Sequence, residues 1–222
     1  MRHATAHFQT IRKLLLSLFL GALFFCTSAH GETALQPAQV SNLYLKVLIN
    51  QDIRSATEIN DYMRPYNGRN VFDLHVLMDL KNDITPTDAQ DTPVQTEHER
   101  LFLKALMAAA RRSTCHATAS ELERDAATGN QIANVEYVCR IPDARIQTAL
   151  NAYENEAASD LARAGIMSEI VAKLNNAPTE KEIQGILQLE ELTADGKSWW
   201  RPASVDDTAN LLNFVLGNLL SE

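Results

Sequence analysis

Apolar residues recur at three- and four-residue spacing along the first part of the chain, which is the pattern of amphipathic helices. This spacing predicts a helix over residues 40–48 and a second helix that Ser55 opens with a capping box and that ends before Pro65. Residues 71–80 are mostly apolar, which favours a third helix over a buried strand. The first part of the chain is therefore predicted to be helical.

The same spacing continues after a polar segment. It predicts one helix over 92–112, opened by Thr92, and a helix of about 30 residues over 143–174. A further helix is predicted over 179–192 and a last one over 205–219, with a loop over 193–204 between them. Helices therefore dominate the second part of the chain as well.

In one segment, apolar and polar residues alternate with a period of two instead. Residues 113–123 and 131–141 read as the arms of a β-hairpin, with a turn over 125–130 and Cys139 on the more apolar face of the second arm. A competing capping box over 120–123 would end the first arm in a short helix. The hairpin is the only β structure that the pattern predicts.

The N-terminus has the three parts of a secretory signal peptide, predicted over residues 1–29. Three basic residues precede an apolar run over 14–25, and small residues at 27–29 fit a peptidase site. The run is too short for a spanning helix, which disfavours an uncleaved anchor. Lipidation at Cys26 is the other alternative, and the large Phe25 before it disfavours that. The sequence therefore predicts export, most simply to the periplasm.

Export changes how the cysteines are interpreted. Cleavage would leave only Cys115 and Cys139, and an even pair in an oxidising compartment predicts a disulfide. Both cysteines are equally far along the chain from residue 127, inside the predicted turn. They should therefore lie opposite each other on the hairpin, at a distance that a disulfide can bridge.

Residues 30–222 form the predicted mature chain, whose length suits a single domain. The whole chain has 20 Lys and Arg and 28 Asp and Glu; without the signal peptide, 17 bases remain against 28 acids, a net charge of −11. This charge argues against nucleic acid and anionic membrane surfaces as partners, and it suits a basic protein partner of the envelope. No apolar stretch in the mature chain is long enough to span a membrane.

No motif predicts catalytic, cofactor-binding or metal-binding residues. A Gly-x-Ser-x-Gly elbow, a Gly-rich phosphate loop and paired His or Cys ligands are all absent from the predicted mature chain. The segment Glu97-His98-Glu99 is acidic, but consecutive helical residues point in different directions. No cofactor is therefore predicted.

The most distinctive segment is Lys197-Ser198-Trp199-Trp200-Arg201-Pro202, which holds both tryptophans of the chain. Trp and Arg often anchor protein interfaces, so Trp199, Trp200 and Arg201 are candidate partner contacts. In the alternative interpretation, one or both tryptophans hold the segment against the core. Exposure of the two indoles distinguishes the two interpretations.

These elements predict an α+β, predominantly α-helical fold, with about six helices around one β-hairpin that a disulfide bridges. A helix-rich start before a hairpin resembles cone-shaped domains of the nuclear-transport-factor-like kind; the several long strands of such domains are missing from the prediction, so the resemblance implies no site residues. The expected function is a non-enzymatic binding or protein-interaction domain. The alternatives are an envelope-polymer hydrolase with dispersed carboxylates, an envelope inhibitor or immunity-type protein, and a subunit of an envelope assembly.

Overall fold

The computed structural model describes residues 35–81, 97–126, 128–154 and 159–221. The predicted signal peptide and the predicted helix start at Thr92 lie outside the described residues. No described helix is both long and apolar enough to cross a bilayer.

The described residues form seven helices and four strands. In chain order these are α1 (Pro37–Asn50), α2 (Ile53–Asn67), α3 (Leu74–Lys81), α4 (Glu97–Arg111), β1 (Thr114–Arg124), β2 (Gln131–Pro142), α5 (Gln147–Tyr153), α6 (Asp160–Asn176), β3 (Thr179–Ala194), β4 (Lys197–Pro202) and α7 (Val205–Leu220). The α+β class is confirmed. The predicted hairpin, however, is one half of a four-stranded antiparallel sheet in the order β1-β2-β3-β4.

The hairpin of β1 and β2 forms as the alternating pattern predicts. Cys115 pairs directly with Cys139, and the two form a disulfide. A bulge follows at Ala117, whose backbone N–H donates to the Asn42 side-chain oxygen at 2.8 Å. The predicted bridge and its register are therefore confirmed, and the competing helix at 120–123 does not form.

The helix predicted over 179–192 is wrong, because these residues form strand β3 between β2 and β4. Ile183, Leu187 and Leu189 alternate onto the core face and are at most 6% exposed, whereas Ile186 points the other way and is 63% exposed. A helix would have placed Ile183, Ile186 and Leu187 on one face. Pairing with two neighbouring strands overrides the helical propensity of the many Glu, Gln and Leu residues.

The loop predicted over 193–204 is also wrong, because it contains strand β4. Asp195 and Gly196 have φ values of 51° and 73°, as a type I′ hairpin turn requires. The turn brings Trp199 opposite Leu192 and Trp200 opposite Glu191. The Asp-Gly pair was the sequence signal for this second hairpin.

The single helix predicted over 143–174 is two helices, α5 and α6. Arg145 has a positive φ of 47°, which prevents the helix from starting at residue 143. Ser159 caps α6 by accepting a hydrogen bond from the Ala162 N–H at 3.3 Å. Local backbone and cap residues therefore interrupt an apolar spacing that would fit a single helix.

Two other helix ends differ from the prediction, and one agrees. Helix α2 begins at Ile53 because Asp52, not Ser55, is its N-cap, and it continues past Pro65 to a left-handed Gly68. Ser204 caps α7 with the capping box that the sequence predicts. Cap residues therefore determine these boundaries.

Helix α1 lies at the centre of the core and has buried residues around most of its circumference. It contacts α2, α4, α7 and every strand of the sheet. One face of the sheet joins this core; its buried residues in β2 are Ala133, Val135, Tyr137, Cys139 and Ile141. The opposite face of β1–β3, called the outer face below, carries polar and acidic side chains.

Candidate binding groove

Both tryptophans of the predicted contact segment are buried, and each is 7% exposed. The Trp200 backbone N–H donates to the Tyr62 hydroxyl at 2.7 Å, and the Trp199 ring lies 5.5 Å from the Tyr66 ring between centroids. Helix α2 thus packs along β4. This burial agrees with the alternative in which the tryptophans hold the segment against the core.

Arg201 is the accessible member of the segment. Its side chain is 47% exposed and forms an ion pair with Glu190 on the neighbouring strand. The Nε and Nη2 atoms approach the same carboxylate oxygen, at 2.6 and 2.5 Å. Because the pair is partly exposed, it orients the guanidinium more than it stabilises the fold. Contact of this segment with a partner stays a prediction, and it would involve Arg201 rather than the indoles.

A cavity of about 650 Å³ opens beside Arg201, between α1, the α2–α3 connection and the β4–α7 connection; we call it the groove. It is lined by Tyr44, Leu48, Met63, Asn67, Arg69, Asn70, Val71, Phe72, Arg201, Pro202, Ala203, Ser204 and Thr208. Its volume lies in the range of small-molecule sites, which typically combine an apolar lining with a few polar groups.

Asn60 fixes the α2–α3 connection, which lines one side of the groove. Its side chain is buried at 1% exposure, and its oxygen accepts hydrogen bonds from the backbone N–H groups of Val71 and Phe72, both at 2.8 Å. Its amide nitrogen donates to the Phe72 carbonyl at 2.9 Å. One side chain therefore satisfies three backbone groups and holds the α2–α3 connection against α2.

Tyr44 reaches the groove from the central helix. The residue is only 3% exposed, and its ring packs against Phe72 with centroids 5.7 Å apart. Burial raises the pKa of the Tyr44 hydroxyl, the nearby Tyr62 raises it further, and the positive charge of Arg201 opposes the shift. The hydroxyl therefore stays protonated at neutral pH and is available as a hydrogen-bond donor.

The polar side chains of the lining are mainly uncharged or basic. Its described residues include two arginines, two asparagines and two hydroxyl side chains beside Tyr44, and no Asp, Glu, His or Cys. In the parts of the chain that the structure describes, no group of His, Cys, Asp and Glu is placed to hold a metal ion. The groove can thus offer hydrogen-bond donors and apolar contact.

Sequence reasoning identified one groove residue, Arg201, and missed the others. In the sequence, Tyr44 is an ordinary core position of the first helix. Asn60, which holds the α2–α3 connection beside the groove, is an ordinary polar position of the second helix. Arg69 and Asn70 belong to the Pro-Tyr-Asn-Gly-Arg-Asn segment, whose composition indicates a loop but no site. No local signal could have brought these residues together.

A second hollow, of about 490 Å³, lies on the outer face. Its lining includes Glu121, Glu136 and Asp207 together with the exposed Ile186. Both glutamates are exposed, whereas a glycosidase acid is usually partly buried to raise its pKa. This hollow offers negative charge and one apolar contact.

No known protein family, no curated protein and no solved structure matches this chain. The function therefore has to be inferred from the groove and from the chain itself.

Proposed function

We propose that the mature chain is an exported, non-enzymatic binding domain of the cell envelope, most simply periplasmic, and that it binds its ligand in the groove. The observation that carries this proposal is the 650 Å³ groove, in which Tyr44, Arg69 and Arg201 accompany apolar side chains. Such a lining orients a bound molecule through a few polar groups and holds it by apolar contact.

The disulfide supports export. Disulfide bonds persist in compartments outside the reducing cytoplasm. Cys115 and Cys139 form such a bond within one hairpin. The signal peptide predicted over residues 1–29 agrees with this compartment.

A second candidate function is an envelope inhibitor or immunity-type protein that docks a basic partner. The observation that favours it is the outer face, where β1–β3 expose the side chains of Glu121, Glu123, Glu136 and Glu182. Opposite charge would steer a basic surface towards this face. The hydrolase alternative has less support, because the carboxylates of the outer hollow are exposed and the described lining of the groove has none.

Filling the groove should abolish binding. Ala203 lines the groove, and its backbone N–H is already bonded to the Gln188 carbonyl, so Ala203→Trp places an indole in the groove without breaking that bond. We expect native mass spectrometry to show a bound species on wild-type protein incubated with envelope extract, and none on Ala203→Trp.

The matched control is Ala119→Trp, at an exposed position of β1 away from the groove. It should retain the bound species. Equal loss from both variants, or equal retention by both, would contradict the groove as the binding site. If Ala203→Trp lowers the melting temperature, Ala203→Leu repeats the test with a smaller side chain.

A further inference from the structure

Tyr44 lines the groove, and its hydroxyl makes no hydrogen bond to the described residues. Because Tyr44 lines the groove, a molecule bound there could accept a hydrogen bond from it. A ligand with an acceptor atom beside this hydroxyl would therefore gain a hydrogen bond in the groove.

Two guanidinium groups favour an acceptor that is negatively charged. Arg69 lines the groove and has no hydrogen bond or ion pair to the described residues. Arg201 approaches Glu190 through Nε and Nη2, which leaves the N–H groups of Nη1 outside that ion pair. Arginine presents several N–H donors in a planar group that matches a carboxylate.

The remaining lining favours an apolar body on the same ligand. Leu48, Met63 and Phe72 line the groove beside Tyr44 and offer aliphatic and aromatic contact. The mature chain has a net charge of −11, which repels polyanions such as nucleic acids at long range. A ligand with one negative charge is repelled less than a polyanion and can still bind the two arginines of the groove.

We propose that the groove binds a small amphipathic monocarboxylate, whose carboxylate accepts hydrogen bonds from Tyr44 and the arginines and whose acyl or aryl body contacts Leu48, Met63 and Phe72. This inference rests on the proposed binding function and specifies its ligand class. It assigns Tyr44 the role of a specificity-determining donor at the centre of the fold.

The test compares three probes of equal chain length by isothermal titration calorimetry on the mature protein. Octanoate carries the proposed charge, octan-1-ol is neutral and octylammonium is cationic. Octanoate should bind at least tenfold more tightly than either of the others, since hydrogen bonds to a charged acceptor are worth about this factor or more.

Two variants test the assigned donors, and each has a matched control. Tyr44→Phe removes only the hydroxyl and should weaken octanoate binding about tenfold; Arg69→Gln should weaken it in the same direction. Tyr137→Phe removes a second buried hydroxyl, which lies against Gly185 outside the lining of the groove, and Arg140→Gln removes an exposed charge from the outer face. Both controls should bind octanoate as the wild type does.

Equal binding of octanoate and octan-1-ol, tighter binding of octylammonium, or unchanged octanoate affinity of Tyr44→Phe would overturn the ligand class. Failure of all three probes to bind would overturn it as well. Loss of the extract-derived species from Ala203→Trp would still support a binding groove in each of these cases. The failure of this inference is therefore distinguishable from the failure of the proposed function.

Discussion

Replacing Gly185 by alanine should lower the free energy of unfolding by about 2–3 kcal/mol, even though alanine normally suits a strand at least as well as glycine. Gly185 lies opposite Tyr137 in the β2–β3 pair, and the tyrosine ring covers it. A Cβ atom at position 185 would lie 2.3 Å from the Tyr137 hydroxyl oxygen and 2.5 Å from its Cζ. Tyr137 is 3% exposed, so its ring cannot move without disturbing the core.

The same change at Gly165 is the control. This glycine is exposed in helix α6, where an added Cβ meets no atom within 4 Å. Gly165→Ala should therefore stabilise the protein by about 0.5–1 kcal/mol, the opposite sign. Urea denaturation of both variants measures the difference. If shortening Tyr137 to leucine does not reduce the cost of Gly185→Ala, the close contact is not its cause.

Removal of the disulfide should lower the free energy of unfolding by about 3–4 kcal/mol. The bridge joins residues 24 positions apart, and in the chain-entropy model it restricts the unfolded chain by closing that loop. Cys139 is fully buried, so Cys115→Ala/Cys139→Ala avoids placing a new hydroxyl in the core. Urea denaturation at neutral pH measures the change.

Reduction of the wild-type protein provides the comparison. Dithiothreitol should shift the wild-type midpoint towards that of the double variant and leave the double variant unchanged. A wild-type protein whose unfolding free energy is the same with and without the reductant would show that the bridge does not stabilise the fold.

The parts of the fold that sequence reasoning predicted have strong local signals. Period-two alternation identified β2, and the equal distance of Cys115 and Cys139 from the turn set their pairing. The apolar residues of the segment that forms β3 fit both a strand period and a helix period, and the prediction followed their three- and four-residue spacing. Only the neighbouring strands decide between them, and that information is not local.

Most residues of the groove could not be predicted from the sequence for the same reason. It combines the central helix, the α2–α3 connection and the segment after β4, so its residues are far apart in the chain. Trp199 and Trp200 are the only tryptophans of the sequence, which made them candidate contacts, but both residues are buried. The position of the Tyr44 hydroxyl in the groove becomes apparent only when its surroundings are known.

Mapping the binding site by NMR tests the central claim most directly. The isotope-labelled mature protein would be titrated with octanoate while its backbone amide shifts are recorded. We expect the largest changes at Val71, Phe72, Ala203 and Ser204, which border the groove, and little change at Ile186 on the outer face. Changes concentrated on the outer face, or no saturable change at all, would contradict the groove as the binding site.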